Sequence, residues 1–268
     1  MTSLTIATWN INSVRLRLDT VLAYLGEQGP DVLALQEIKA TGEQFPADAF
    51  AEAGWPHIAV NGFKGYNGVA IVSRVPFADS GVKDWCGRTD GRHVWAVLPG
   101  GIELNNFYVP AGGDEPDPDI NPKFAHKLHF VDDMTAWFAA RKSPRNRLVM
   151  VGDLNIAPLE TDVWSHKQLV KVVSHTPVEV AAMERLRASH DWVDAVRYFV
   201  PPDEKLYSWW SYRAKDWEAA DKGRRLDHIW VTPPLRRRLK SACVHKHVRG
   251  WELPSDHAPV AATLNLPS

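Results

Sequence analysis

Asp256 and His257 stand side by side in "SDHAPV", near the end of a chain of 268 residues. Neighbouring side chains usually point different ways, so the acid and the ring would serve different partners. Other polar residues fall where apolar runs stop. Asn10 lies near the end of the β-rich "SLTIATWNI" and Asn12 follows it. Gln36 and Glu37 close "DVLALQE". Asn105, Asn106 and Tyr108 end "IELNNFY", Asp153 and Asn155 end "RLVMVGDLN", and Asp227 lies inside "RLDHIWV". Any one of these acids, taken alone, reads as a turn residue or cap. Their joint occurrence describes one rim, where strand ends converge on a cleft.

Oxygen donors such as Glu37 and Asp256 suit a hard divalent cation, Mg²⁺ or Mn²⁺. No His/Cys cluster has the spacing of a zinc site. A hard cation with further acids is the equipment of phosphoryl chemistry. The cation offsets charge on the phosphorus oxygens, and a spare carboxylate orients or deprotonates water for in-line attack. A histidine and a tyrosine hydroxyl can bind a non-bridging oxygen. Asp227 is the candidate to fix the tautomer and charge of His257.

The elements that must hold these groups are legible as short runs. Strands are predicted over residues 3–11, 31–37, 68–73, 93–99, 102–110, 147–155, 206–212, 225–231 and 258–266, on length and β-branched content. Leu18, Val21, Leu22 and Leu25 recur at helical spacing, as do Phe124, Leu128, Val131 and Phe138. Met183, Leu186 and Trp192 mark a third helix after the helix-starting "SHTPVE". Residues 60–68 and 111–122 read as Gly- and Pro-rich loops. No repeat or linker interrupts the pattern. The expectation is one α/β domain over residues 1–268: a four-layer sandwich, two stacked mixed sheets flanked by helices. A doubly wound sheet is the alternative, but no Gly-rich phosphate fingerprint opens a helix.

Composition narrows the class. Apolar residues make up 45% and charged residues 24%, as in a soluble globular protein. A formal net charge of −1 excludes a uniformly basic nucleic-acid coat, so any such contact needs a local patch. The count of 12 tryptophans is high: some rings are expected to pack the core, and others are available to stack on a ligand. Cys86 and Cys243 make no disulfide scaffold, which suggests a reducing, cytoplasmic setting. "MTSLTIATWNINS" has no basic flank and no apolar run of signal-peptide kind. No stretch approaches the ~20 apolar residues of a membrane span.

The ordered motifs "WNIN", "LALQEIK", "KGYNGVAI", "NFYVPAG", "VGDLNIAP", "RRLDHIWV" and "PSDHAPV" resemble the exonuclease III family of DNA-repair nucleases. These are the apurinic/apyrimidinic endonucleases of the endonuclease/exonuclease/phosphatase superfamily. The likeness runs from residue 4 to about residue 264. It implies cation ligation by Glu37, Asn10 and Asp256. It implies water activation by Asp153 and phosphate binding by Asn155, Tyr108 and His257, with Asp227 behind His257. It further implies that Trp209 and Leu226 wall a pocket for a base-less sugar, and that Lys64, Tyr66 and Arg92 face the DNA backbone. The implied partner is double-stranded DNA with abasic sites or 3′ ends, handled by a monomer without a membrane.

Some positions depart from the family pattern. Ala111 stands where an amide is frequent. Arg224 stands where some relatives carry an aromatic residue, which would strengthen backbone binding and loosen the sugar pocket. His166 lies where members differ in accepting internal abasic sites, and bulk there would favour 3′-end work. The basic stretch 235–249 reads as a solvated helix or loop face. Inositol-polyphosphate phosphatases, sphingomyelinases and poly(A)-trimming ribonucleases use a similar catalytic set, and "YSWWSYR" argues against them. A non-catalytic DNA-binding relative would not need every one of the acids present.

Overall fold

A computed structural model describes residues 3–214 and 216–266. Its first sheet contains β1 (Ser3–Asn10), β2 (Val32–Gln36), β3 (His57–Asn61), β4 (Val69–Ser73), β13 (Leu239–Val244) and β14 (Val260–Asn265). Its second contains β5 (Asp79–Val82), β6 (His93–Leu98), β7 (Ile102–Tyr108), β8 (Leu148–Asp153), β9 (Val193–Asp194) and β12 (Asp227–Val231). A short ribbon pairs β10 (Trp209–Trp210) with β11 (Gly223–Arg224). The strand orders are β13-β14-β1-β2-β4-β3 and β5-β6-β7-β8-β12-β9. β1 and β2 run parallel, as do β7 and β8; the other pairs are antiparallel.

The inner faces of the two sheets meet in one apolar layer. Ile6, Val32, Ala34, Val69 and Ile71 oppose Val94, Leu104, Val149, Val151 and Ile229. The outer faces are covered too. Helix α1 (Leu18–Gln28) lays Val21, Tyr24 and Leu25 on Trp9, Leu33 and Leu35. Helices α3 (Pro122–Ala140) and α5 (Pro177–Ser189) lay Phe130, Met134, Met183 and Leu186 on Phe107, Met150 and Trp230. Burial on both faces is why the central strands read as continuous apolar runs and not as alternation. The result is helix, sheet, sheet, helix, the four-layer α/β sandwich expected from the runs.

The outer helices start where the sequence says. Asn121 caps α3 by accepting from Lys123 N–H, with Pro122 at the first turn. Thr176 and Glu179 close a reciprocal capping box on α5. This helix stops at Ser189, so Trp192 is not part of it; Trp192 packs in the layer beneath, 4.9 Å from Phe138. The strand predicted over residues 206–212 contracts to the two residues of β10. The basic stretch 235–249 is neither plain helix nor plain loop. It contains β13, an edge strand whose outward lysine and serine blunt further pairing.

Candidate active site

Both parallel pairs end at the same edge of the sandwich. Asn10 is level with Gln36, and Tyr108 is level with Asp153. Asp227 opens β12 directly opposite Asp153. The segment before β14 delivers Asp256 and His257 to the same place, through a bridge from His257 to Trp209. Gly152 makes the approach possible: a Cβ there would collide with the Phe107 carbonyl, and its φ is +137°. Glu37 and Asn155 lie just past their strands with φ of +48° and +54°. A left-handed glutamate costs about 1–2 kcal/mol. Here its carbonyl is fixed by the Ser13 N–H at 2.7 Å.

The side chains form one connected network. The Asn10 amide donates to Glu37 Oε1 at 3.0 Å and to Asp153 Oδ2 at 2.9 Å. Tyr108 O–H donates to Glu37 Oε1 at 2.8 Å. His257 Nδ1 lies 2.8 Å from Asp227 Oδ2, which also accepts from Ser208 Oγ at 2.6 Å. His257 Nε2 turns towards Asp153 Oδ2, 3.7 Å away. Trp209 Nε1 donates to Asp256 Oδ2 at 2.9 Å. Asn155 N–H donates to Asp153 Oδ1 at 3.0 Å, while its side chain donates to the Val109 carbonyl.

Burial sets the protonation pattern. It pushes the Asp153 carboxyl up, with the Asp227 charge adding and His257 opposing. For His257, burial favours the neutral ring, but the charges of Asp227 and Asp153 outweigh it and hold the imidazolium. Burial, then the charges of Glu37 and Asp153, keep the Tyr108 phenol protonated far above its ordinary range. Glu37 goes the other way. Burial would raise it, yet the Asn10 amide, the Lys39 ammonium and Tyr108 O–H hold it below the usual carboxylate range.

The donor set fits a hard cation. Glu37 and Asp256 line the cleft with oxygen atoms, and with Asp114, Asp153 and Asp227 the carboxylates outnumber the cations Lys39, Arg224 and His257 around it. Asn10 presents amide hydrogens to the acids, while its Oδ1 accepts from Asn12 N–H at 3.1 Å. The cleft measures about 360 Å³ and is also lined by Ala111, Trp209, Arg224 and Leu226. Arg224 lies 5.4 Å from the Trp209 ring centre and donates to the Val173 carbonyl and Ser174 Oγ, so the anchored side chain narrows one wall instead of loosening the pocket as its sequence position suggested.

Several expected residues lie elsewhere. Gln36 and Asn106 are not on the rim. They hydrogen-bond each other at 2.7 Å between the sheets, where Asn106 also satisfies the Leu35 and Ala70 carbonyls. Asn105 is tied to His93. Arg92 is held by Asp90, Asn67 and the Tyr108 carbonyl, so it braces Tyr108 while lining the groove beside it. His166 lies outside the cleft lining and bonds His175 at 2.9 Å. Lys64 and Tyr66 stand exposed on the loop after β3.

Sequence reasoning missed three supports. Lys39 holds Glu37 Oε2 at 3.0 Å. Ser208 donates to Asp227 and receives the Leu226 and Asp227 N–H groups. Lys127, fully buried on α3, pairs with Glu179 on α5 and donates to the Ala111 and Asn155 carbonyls. Its signal was there to find: a lysine among Phe124, Phe130 and Val131 must be paired if buried.

Comparison with known proteins places these motifs in context. The model of the Endonuclease/Exonuclease/phosphatase family matches residues 7–257. Exodeoxyribonuclease III of Haemophilus influenzae is 29% identical over 265 residues, 95% of this chain and 97% of that one. The structure of an AP endonuclease from Archaeoglobus fulgidus superposes with a TM-score of 0.90 at 33% identity, covering 98% of this chain and all (100%) of that one. A 3′–5′ exonuclease from Neisseria meningitidis gives 0.90 at 34% identity, with the same coverage. The strand-edge acids, the paired His257 and the four-layer frame are therefore those of a member of the Endonuclease/Exonuclease/phosphatase family, to which this chain belongs.

Proposed function

We propose that the chain is a divalent-metal-dependent DNA-repair phosphodiesterase. It would hydrolyse the phosphodiester 5′ to abasic sites and remove 3′ blocking groups and 3′ nucleotides from double-stranded DNA. The carrying observation is the convergence of Asp153, His257–Asp227, Tyr108 and Glu37 on one small cleft. A cation bound by Glu37 and Asp256, Mg²⁺ or Mn²⁺, would offset charge on the phosphate oxygens. Asp153, raised by burial, is poised to take a proton from the attacking water. The His257 imidazolium, steadied by Asp227, would bind a non-bridging oxygen, as would the protonated Tyr108 hydroxyl and the Asn155 amide. Leu226 and Trp209 offer an apolar wall to a base-less deoxyribose. The names of the relatives above supply the DNA substrate. The free thiols of Cys86 and Cys243 suit a reducing, cytoplasmic setting, the chain would act as a monomer, and no helix among the described residues is long and apolar enough to cross a membrane.

A second reading weights the same chemistry towards 3′ ends, with weak abasic-site cleavage. It is favoured by Arg224, whose anchored side chain narrows the sugar pocket. Rates on an internal abasic site, a 3′-phosphate and a plain 3′ end of duplex DNA, measured side by side, separate the readings. EDTA should abolish all three activities and Mg²⁺ or Mn²⁺ should restore them. Cleavage without metal, or turnover of an inositol phosphate or RNA in preference to DNA, overturns the proposal.

A further inference from the structure

Beside the catalytic cleft runs a second groove of about 730 Å³. Trp164, Trp217, Arg213 and Lys222 line it, and it shares Trp209 and Arg224 with the cleft. Trp164 and Trp217 are only half-buried, unlike Trp210 beneath them. Lys222 Nζ lies 4.8 Å from the Trp164 ring centre. Half-covered indole rings with cations beside them are the equipment for stacking a nucleobase and holding its phosphate. Nothing in the chemistry of the cleft itself uses them.

Size says what occupies the groove. A cleft of about 360 Å³ must take a hydrated cation, a phosphate and a deoxyribose. A base-less sugar stays inside. When the residue at a 3′ end carries a base, that base has to leave the cleft. On the Tyr108 side the cleft opens towards Arg88 and Lys123, which suit the phosphates of the continuing strand. On the other side it opens past Trp209 and Arg224 into the tryptophan groove. We propose that this groove is a base-binding subsite: it stacks the nucleobase of a 3′-terminal nucleotide whose sugar sits in the neighbouring cleft. One centre would thereby process both abasic residues and ordinary 3′ nucleotides. The inference rests on the DNA-processing reading above.

The test compares two duplexes cut at the same bond, one ending 3′ in a normal nucleotide and one in an abasic deoxyribose. For Trp217→Ala, kcat/KM on the base-bearing end should fall about 10-fold, the loss of one stacked base. The abasic end should change less than about 2-fold, and Trp217→Phe should recover most of the loss. If Trp217→Ala proves unfolded by circular dichroism, Lys222→Ala, at an exposed position, should show the same selectivity at about threefold. An equal loss on both ends, or none on either, overturns the subsite while leaving the DNA activity standing. A wild-type protein that cuts neither duplex removes the functional reading and the subsite with it.

Discussion

In the proposed reaction Asp153 accepts a proton from water, and it sits 3.7 Å from the ring nitrogen of His257. Two carboxylates, Asp153 and Asp227, flank that ring, so the imidazolium is held between them. Burial raises the basicity of Asp153 towards neutral pH, with the His257 charge opposing and the Asp227 charge adding. Asp153→Asn keeps the hydrogen bond from Asn10 and the shape of the cleft but removes the base. Single-turnover cleavage should slow by about 10²–10⁴-fold. Binding of an abasic duplex in a gel-shift titration should change little. Near-normal turnover would exclude Asp153 from water activation. His257 has a different sensitivity, because its charge depends on Asp227. Asp227→Asn should weaken phosphate binding more than His257→Lys, which retains a cation; the reverse order would separate Asp227 from the ring's charge.

At the scale of elements, the site is built by two parallel strand pairs and braced by two outer helices. Lys127 of α3 and Glu179 of α5 are fully buried, and Glu179 also receives the Ser174 and Thr176 N–H groups. Lys127→Met leaves Glu179 charged and unpaired, a loss of about 3–5 kcal/mol by urea unfolding. The double change Lys127→Met, Glu179→Leu removes the unpaired charge but strands the Ser174 and Thr176 N–H groups, so it should recover only part of that stability. It should not recover activity, because the lysine also holds the Asn155 and Ala111 carbonyls. Recovery of both would mean the pair is only a packing device. This pair also shows where sequence reading stops. The acids Glu37, Asp153 and Asp227 were legible only together: each alone reads as a turn residue or cap, and it was their recurrence at the ends of several strands that marked one rim. Asn106 and Gln36 fit the same pattern yet face inward, since parity along a strand does not say which face meets the second sheet. The ribbon β10–β11 was overread because four aromatic and two serine side chains in "YSWWSY" mimic strand alternation, whereas only the Trp209–Trp210 backbone pairs. The bracing of Arg92 was not legible for a related reason: Asp90 lies two residues away, but Asn67 and the Tyr108 carbonyl reach it only through the fold.

The whole molecule carries histidines that the chemistry does not use, and they govern its response to acid. His93 lies stacked on Phe107, ring centres 4.2 Å apart, with one nitrogen on Asn105. His228 lies beneath the active edge, bonded to the Ile156 carbonyl at 2.8 Å. Burial lowers His93 from 6.5 to about 3 and His228 to about 4, the second with help from the Arg225 charge. Both rings are therefore neutral in the folded chain. A folded-state value below the unfolded one means that the unfolded chain takes up the proton first. Stability from each neutral ring is complete above about pH 6.5 and drains away as pH falls towards 3 or 4. Each ring contributes a slope of about 1 kcal/mol per pH unit inside that window. Urea unfolding of the metal-free protein at pH 7.5, 6.5, 5.5 and 4.5 (conditions chosen about the ordinary histidine value) should show stability greatest near 6.5: it falls below that as His93 and His228 are protonated in the unfolded chain, and declines by about 1 kcal/mol per pH unit above it, where only the folded chain keeps His257 protonated. In His93→Phe the ring still stacks on Phe107 but cannot titrate. Asn105 then loses a partner, so this variant should be less stable at neutral pH by about 1–3 kcal/mol. Its acid slope should nevertheless be shallower by about 1 kcal/mol per pH unit. The two effects have opposite signs at low pH, so the wild-type and variant curves should converge as the pH falls. Parallel curves would show that His93 binds its proton equally in both states, and the acid limb would then belong to His228 and the carboxylates.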